Sequence, residues 1–294
     1  MESSRTGHGR PLLLVHGLGS TSRVWGPVLA PLTARKEVIV VDLPGHGGVP
    51  AEPDSATFAG LARSLEAFLD RGGLTGCDMA GSSLGAQLVL EMARRGKSGA
   101  VVALDPGGFW RGLERAALKS ALTSSLWSAR GMKPGLPLLT TSPAWRTLML
   151  ASLSAQPWAL DPALLASELK AFAETGTLDA LIDSLAFGPP QAGPAAPESD
   201  PVTIGWGRHD RLCNPVQAQR ALAAFPGARL HWFEKSGHFP MWDEPDATAG
   251  LILSATSGRR SRAGADGANT QSGRTRRARS LAPLPIPVAA GSRA

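Results

Sequence analysis

The pentapeptide Gly81-Ser82-Ser83-Leu84-Gly85 constrains this chain more than any other stretch. An apolar run from Cys77 to Ala80 leads into it. A helical pattern from Leu84 to Arg95 leads out, with Gly96 as a stop signal. Where a strand turns directly into a helix, the residue at the turn takes a strained conformation and its side chain projects from the end of the sheet. Residues two before and two after lie so close to the turn that a Cβ would collide with it, so glycine is wanted at both. Ser83 has Gly81 and Gly85 in those places, whereas Ser82 would have Ala80 and Leu84. Ser83 is therefore the serine that the turn presents, and a candidate nucleophile.

The flanking sequence alternates strand with helix. Pro11–Val15, Val38–Val41, Cys77–Ala80, Ala100–Leu104, Val202–Gly205 and Arg229–Phe233 read as strands. The buried ones are continuous apolar runs, the pattern of parallel strands covered on both faces. Helices are expected around Val24 to Ala34, over Phe58–Asp70 with Thr57 as cap, after the serine turn, from Asn214-Pro215 to Phe225, and from Pro245 to about Ser254. Alternation of this kind predicts an α/β fold, with a mostly parallel sheet flanked by helices.

From Phe109 to Leu185 the alternation stops. Helices are expected at 111–130, 143–155 and 161–174, the last with Asp161 as cap and Pro162 in its first turn. Trp110, Trp127, Trp145 and Trp158 fall in this insert. They are expected mostly as the core of a small helical unit, with some lining an apolar pocket beneath a lid. The proline-rich stretch from Gly188 to Pro201 reads as the return linker. The implied organisation is a core of 1–108 and 201–254, a helical cap with its linker at 109–200, and a disordered Arg/Pro-rich tail at 255–294.

Taken together, these features resemble the α/β-hydrolase superfamily. They are Gly-x-Ser-x-Gly after a strand, Gly207-Arg208-His209-Asp210 after a later strand, Gly237-His238 near the end, and His16-Gly17-Leu18-Gly19 near the start. Asp42-Leu43-Pro44-Gly45-His46-Gly47 is similar too. The resemblance covers about residues 11–254, and the helical insert matches the usual place of that family's cap. It also implies two further strands ahead of the one carrying His16. Only ten residues precede Pro11, so those strands are expected to be missing or much reduced and the sheet edge bare.

The resemblance implies a triad in the order Ser83, Asp210, His238. His238 would take the Ser83 proton and return it to the leaving group, and Asp210 would hold the imidazole tautomer. Backbone N–H groups of Leu18 and Leu84 would form the oxyanion hole. Asp105 also ends a strand and is the rival acid. His16 is expected to shape its loop by hydrogen bonding; His46, His209 and His231 read as structural or exposed. Cys77 reads as a buried strand residue.

Composition removes other classes. The net charge of +6 is a tail effect: residues 255–294 hold eight arginines and one aspartate, leaving the rest near neutral, with no basic footprint for nucleic acid. No run spans a bilayer, and residues 1–10 lack the apolar core of a signal peptide. Two cysteines make no disulfide framework, which fits a cytoplasmic setting. No cluster has zinc-ligand spacing and no phosphate loop appears, so no metal or cofactor is expected. The expected partner is a small apolar substrate, with neither nucleic acid nor membrane involved. The expected activity is a serine hydrolase acting on a carboxylic ester, thioester or lactone. Carbon–carbon bond hydrolysis, perhydrolysis and acyl transfer use the same residues and stay open, as does a non-catalytic ligand-binding role.

Overall fold

The computed structural model describes residues 1–193 and 201–257. Seven strands form one sheet: β1 (Glu2–Gly7), β2 (Pro11–Val15), β3 (Glu37–Asp42), β4 (Asp78–Ser82), β5 (Val101–Leu104), β6 (Val202–Gly207) and β7 (Arg229–Phe233). Their spatial order is β1-β3-β2-β4-β5-β6-β7, and every pair is parallel except β1 with β3. The helices are α1 (Gly26–Thr33), α2 (Phe58–Arg71), α3 (Leu84–Arg94), α4 (Leu113–Met132), α5 (Leu136–Leu139), α6 (Pro143–Leu150), α7 (Pro162–Glu174), α8 (Leu178–Phe187), α9 (Gln217–Ala224), α10 (Pro240–Asp243) and α11 (Pro245–Thr256).

Strand alternation divides the core into two layers. Leu13, Val15, Ile39, Val41, Met79, Val101 and Ile204 face α2, α3 and α9, packing with Leu61, Leu65, Leu88, Met92 and Ala221. Leu12, Leu14, Val38, Ala80, Val102 and Leu104 face α1 and α11, packing with Val28, Leu32, Ala249 and Ile252. Each fully buried Leu, Ile or Val contributes about 1.5–3 kcal/mol relative to exposure. Both faces being covered explains why the central strands read as unbroken apolar runs.

Two expectations need correction. The residues ahead of Pro11 do form a strand. β1 pairs antiparallel with β3, Glu2 opposite Asp42 and Gly7 opposite Glu37, so β3 is paired on both sides and β1 is the edge strand. All six of its residues are exposed, so it carries no apolar alternation and is held by its backbone ladder and by an ion pair from Arg5 to Glu37 at 3.5 Å. Gly7 and Gly9, at φ +86° and +107°, reverse the chain into β2. The second correction concerns the insert. Trp127 and Trp158 are 69% and 52% exposed, so neither is core; Trp145 is 41% exposed, and Trp110 is buried.

The cap is helical, as its sequence suggests, but richer than expected. α4, α6 and α7 occupy the three expected stretches, while α5 and α8 are additional. Asp161 accepts from Leu164 N at 2.8 Å, with Pro162 opening α7. In the core, Thr57 accepts from Gly60 N at 3.0 Å to start α2. Residues 194–200 of the expected linker, and the expected tail from 258 onward, lie outside the described residues.

At the amino ends of the strands, buried Asp78 joins several elements. It accepts from Lys36 Nζ at 3.2 Å, Arg10 Nη2 at 3.3 Å and Ala100 N at 3.1 Å. Lys36 Nζ also donates to Thr256 O at the end of α11, at 2.9 Å. Replacing Asp78 with alanine leaves the buried Lys36 ammonium without its counter-charge. Urea denaturation of Asp78→Ala is expected to show a loss of about 3–5 kcal/mol.

Candidate active site

The parallel strands deliver four chemistry-bearing residues to one edge of the sheet. Ser83 follows β4, Asp105 follows β5, Asp210 lies three residues beyond β6, and His238 lies five beyond β7. The carboxyl ends of parallel strands are where an open α/β sheet assembles ligand sites.

Ser83 takes φ +55° and ψ −114°, outside the usual regions for a side-chain-bearing residue, at a cost of about 1–3 kcal/mol. Its N–H donates to Leu104 O at 2.9 Å, and α3 begins at the next residue. The glycines explain how the turn closes. A Cβ on Gly81 would run into Gly85 O, and one on Gly85 into the carbonyl oxygens of Val15 and His16. The neighbouring Ser82 is fully buried and its Oγ has no partner.

His238 is 1% exposed and its two ring nitrogens differ. Nδ1 lies 2.8 Å from Asp210 Oδ2. Nε2 is buried and has no hydrogen-bond partner among the described residues. The other oxygen of Asp210, Oδ1, accepts from Leu212 N at 2.8 Å and Cys213 N at 2.9 Å. A carboxylate anchored in this way places the ring proton on Nδ1 and leaves the Nε2 lone pair free to take one. The backbone N–H of His238 donates to Leu153 O of the cap at 2.8 Å.

Asp105 does not bond His238. Its Oδ1 accepts from Gly207 N at 2.8 Å, and its carboxyl lies within hydrogen-bonding reach of that of Asp210. Burial first, and the negative charge of Asp210 second, push its carboxyl well above the usual range.

Sequence spacing suggested no ligand cluster, yet the fold brings one atom each of Asp210, Cys213 and His238 within 4.8 Å of one another. The donor set fits a hydrogen-bonded pair better than an ion. Asp210 and His238 already engage each other, and burial, helped by the charge of Asp210, raises the Cys213 thiol well above its normal range. A metal site would need it as thiolate.

Leu18 and Leu84 sit on either side of Ser83. Leu84 opens α3, so its N–H is one of the donors a helix leaves unpaired. Leu18 lies in the loop after β2, which His16 organises. His16 Nδ1 donates to Gly17 O at 2.8 Å, and Nε2 accepts from Leu43 N at 3.0 Å. Burial pushes its pKa down to about 4, and that of the adjacent buried His46 to about 3.

Ser83, Leu18, Leu84 and His238 all line a cavity of about 470 Å³ between sheet and cap. Its wall is mainly apolar: Leu118 and Leu122 of α4, Leu150 of α6, Leu165 and Phe172 of α7, and Trp242 of the core. Trp110 and Trp145 also line it, whereas Trp127 and Trp158 do not. Glu168 of α7 faces the cavity as well and was not anticipated. Its signal was present in the sequence, as a carboxylate on the same helical face as Leu165 and Phe172.

With that geometry in view, the sequence model of the alpha/beta hydrolase family matches residues 12–251, most of the chain. The chain belongs to the alpha/beta hydrolase family. Membership of that family makes it a hydrolase. It is 26% identical to a 2-hydroxy-6-oxo-6-phenylhexa-2,4-dienoate hydrolase of Burkholderia cepacia, over 84% of this chain and 87% of that protein. A thermophilic esterase from Thermogutta terrifontis shares the fold with a TM-score of 0.68 at 20% identity, covering 86% of this chain and 91% of that one. The enol-lactonase from Burkholderia xenovorans LB400 does so with a TM-score of 0.67 at 19% identity, covering 86% and 95%. Among the described residues, no helix of this hydrolase is long and apolar enough to cross a membrane.

The buried histidines make hydrolase stability depend on pH. Their folded pKa values lie below the unfolded 6.5, so the unfolded chain binds more protons between those values. The stabilisation is complete above about 6.5. It is lost as pH falls toward about 4 for His16 and about 3 for His46. For His16 the span is on the order of 3 kcal/mol. Melting of wild type and His16→Asn across this range is expected to show a shallower fall in the variant.

Proposed function

We propose that this hydrolase cleaves a carboxylic ester, thioester or lactone with an apolar moiety through an acyl-enzyme on Ser83. The observation that carries the reading is the unpartnered Nε2 of His238. It is buried in the wall of the cavity that Ser83 lines, and the opposite ring nitrogen is held by Asp210. In the reaction, Ser83 Oγ bonds to the substrate carbonyl carbon while its proton passes to His238 Nε2. The carbonyl π pair moves onto oxygen, facing the N–H groups of Leu18 and Leu84. Collapse breaks the bond to the leaving group, which takes the proton from His238. Water then repeats the sequence on the acyl-enzyme, releasing the acid and Ser83. The cavity wall supports an apolar acyl or alcohol part.

A second reading is carbon–carbon bond hydrolysis by the same residues. It is favoured by the likeness to the hexadienoate hydrolase of Burkholderia cepacia. There His238 would move a proton onto a dienol substrate before cleavage.

Fluorophosphonate labelling with mass mapping is expected to place an adduct on Ser83 and none in Ser83→Ala. Folded wild-type protein left unlabelled would overturn the acyl-enzyme reading. Ser83→Ala is expected to lower ester kcat by about four to six orders of magnitude. The rival acids separate in a paired assay: Asp210→Asn is expected to cost about 10⁴-fold in kcat, and Asp105→Asn far less. The reverse order would make Asp105 the acid.

A further inference from the structure

The loop that carries Leu18 is held from two sides. His16 holds its start from within the core. Its end is held by the cap, through Glu168 of α7. Glu168 Oε2 accepts from Ser20 Oγ at 2.5 Å and from Thr21 N at 3.2 Å, and Oε1 accepts from Thr21 Oγ1 at 2.5 Å. These partners are 147 and 148 residues apart in sequence.

Between those anchors the loop also rests on the cap. Gly19 takes φ +67°, and the Phe172 ring, one turn beyond Glu168, fills the space where a Cβ would be. Leu18 packs on Leu126, Leu178 and Ile182 of α4 and α8.

The chemistry of Glu168 is unusual for a fastening. It is 6% exposed and its two oxygens meet hydroxyls and an amide rather than a cation. Burial, with the charge of Asp42, outweighs those hydrogen bonds and raises its pKa. A buried carboxylate without a counter-ion is a costly way to join two surfaces that leucines would join more cheaply. What it provides instead is direction, since three donors on two consecutive residues converge on one rigid group.

We propose that Glu168 is a positioning residue: by tying Ser20 and Thr21 to α7, it fixes the backbone N–H of Leu18 and makes oxyanion stabilisation depend on a seated cap. The proposal rests on the reading of Ser83 and Leu18 given above. Oxyanion donors act through alignment, and displacement of about 1 Å costs on the order of 100-fold. Loss of the tie should therefore weaken binding of the tetrahedral species while leaving ground-state binding nearly intact.

The test compares wild type, Ser83→Ala, Glu168→Gln and Ser20→Ala with a p-nitrophenyl ester of a medium-chain acid. The matching alkyl trifluoromethyl ketone serves as a mimic of the tetrahedral adduct. Glu168→Gln is expected to lower kcat by roughly 10–100-fold with KM within about threefold, and to weaken the ketone by a similar factor. Ser20→Ala, which removes one donor and keeps the carboxylate, is expected to show a smaller loss of the same kind. In the double variant the two losses should combine less than additively. A lowered melting temperature with kcat and ketone affinity unchanged would make Glu168 merely structural and overturn the proposal. If Glu168→Gln does not fold, Ser20→Ala decides, and unchanged kcat and ketone affinity there overturn it. Wild-type protein without Ser83-dependent turnover would overturn the serine reading and this one together; turnover insensitive to both substitutions would overturn this one alone.

Discussion

Everything at this site takes its position from one close approach of backbone to backbone. Gly85 lies directly against the carbonyl oxygens of Val15 and His16, and Gly81 against that of Gly85. That proximity lets α3 start at the residue after Ser83, with no intervening loop to relax the turn. The strain at Ser83 persists because its surroundings over-determine it. Its N–H is taken by Leu104, and α3 is clamped by fully buried Leu88, Val89 and Met92. The same approach brings β2 and its following loop beside the serine, so Leu18 and Leu84 line the same cavity.

Around this frame the electrostatics are kept simple. His16 and His46 are buried and neutral at physiological pH, so neither adds a positive charge near Leu18. Burial and the charge of Asp210 push the Asp105 carboxyl up, which favours a single carboxylate charge, that of Asp210, behind the imidazole. Two like charges at that depth would repel strongly. Because the strands are parallel and in register, such groups gather at one edge, and burial then decides which of them ionise.

How much of this was legible depends on whether the signal is local. Thr57 and Asp161 announced their helices because a cap acts over three residues. The glycines flanking Ser83 announced the turn for the same reason. Ser83, Asp210 and His238 could each be placed at a strand end, and the parallel sheet then converts strand ends into neighbours. β1 was not legible, since a strand exposed on every residue shows no apolar alternation. Trp127 and Trp158 misled because bulk and apolarity do not say which way a helix turns its face. Glu168 escaped because its partners, Ser20 and Thr21, belong to another part of the chain and the pairing exists only in three dimensions.

The two loops above the sheet meet the cap through different kinds of contact. The Leu18 loop is gripped by a side chain, Glu168, whereas the loop of His238 is gripped by the backbone carbonyl of Leu153 and by Asp243, which accepts from Gly237 N and Ala155 N together. A carbonyl is supplied by any residue, so sequence drift at 153 leaves that grip intact as long as the chain path is kept. A carboxylate is supplied by few residues, and drift at 168 does not leave the first grip intact. The cap is thus joined to the core by side chains at more than one point: α7 through Glu168, and α4 through Glu114, whose carboxylate pairs with Arg220 of α9.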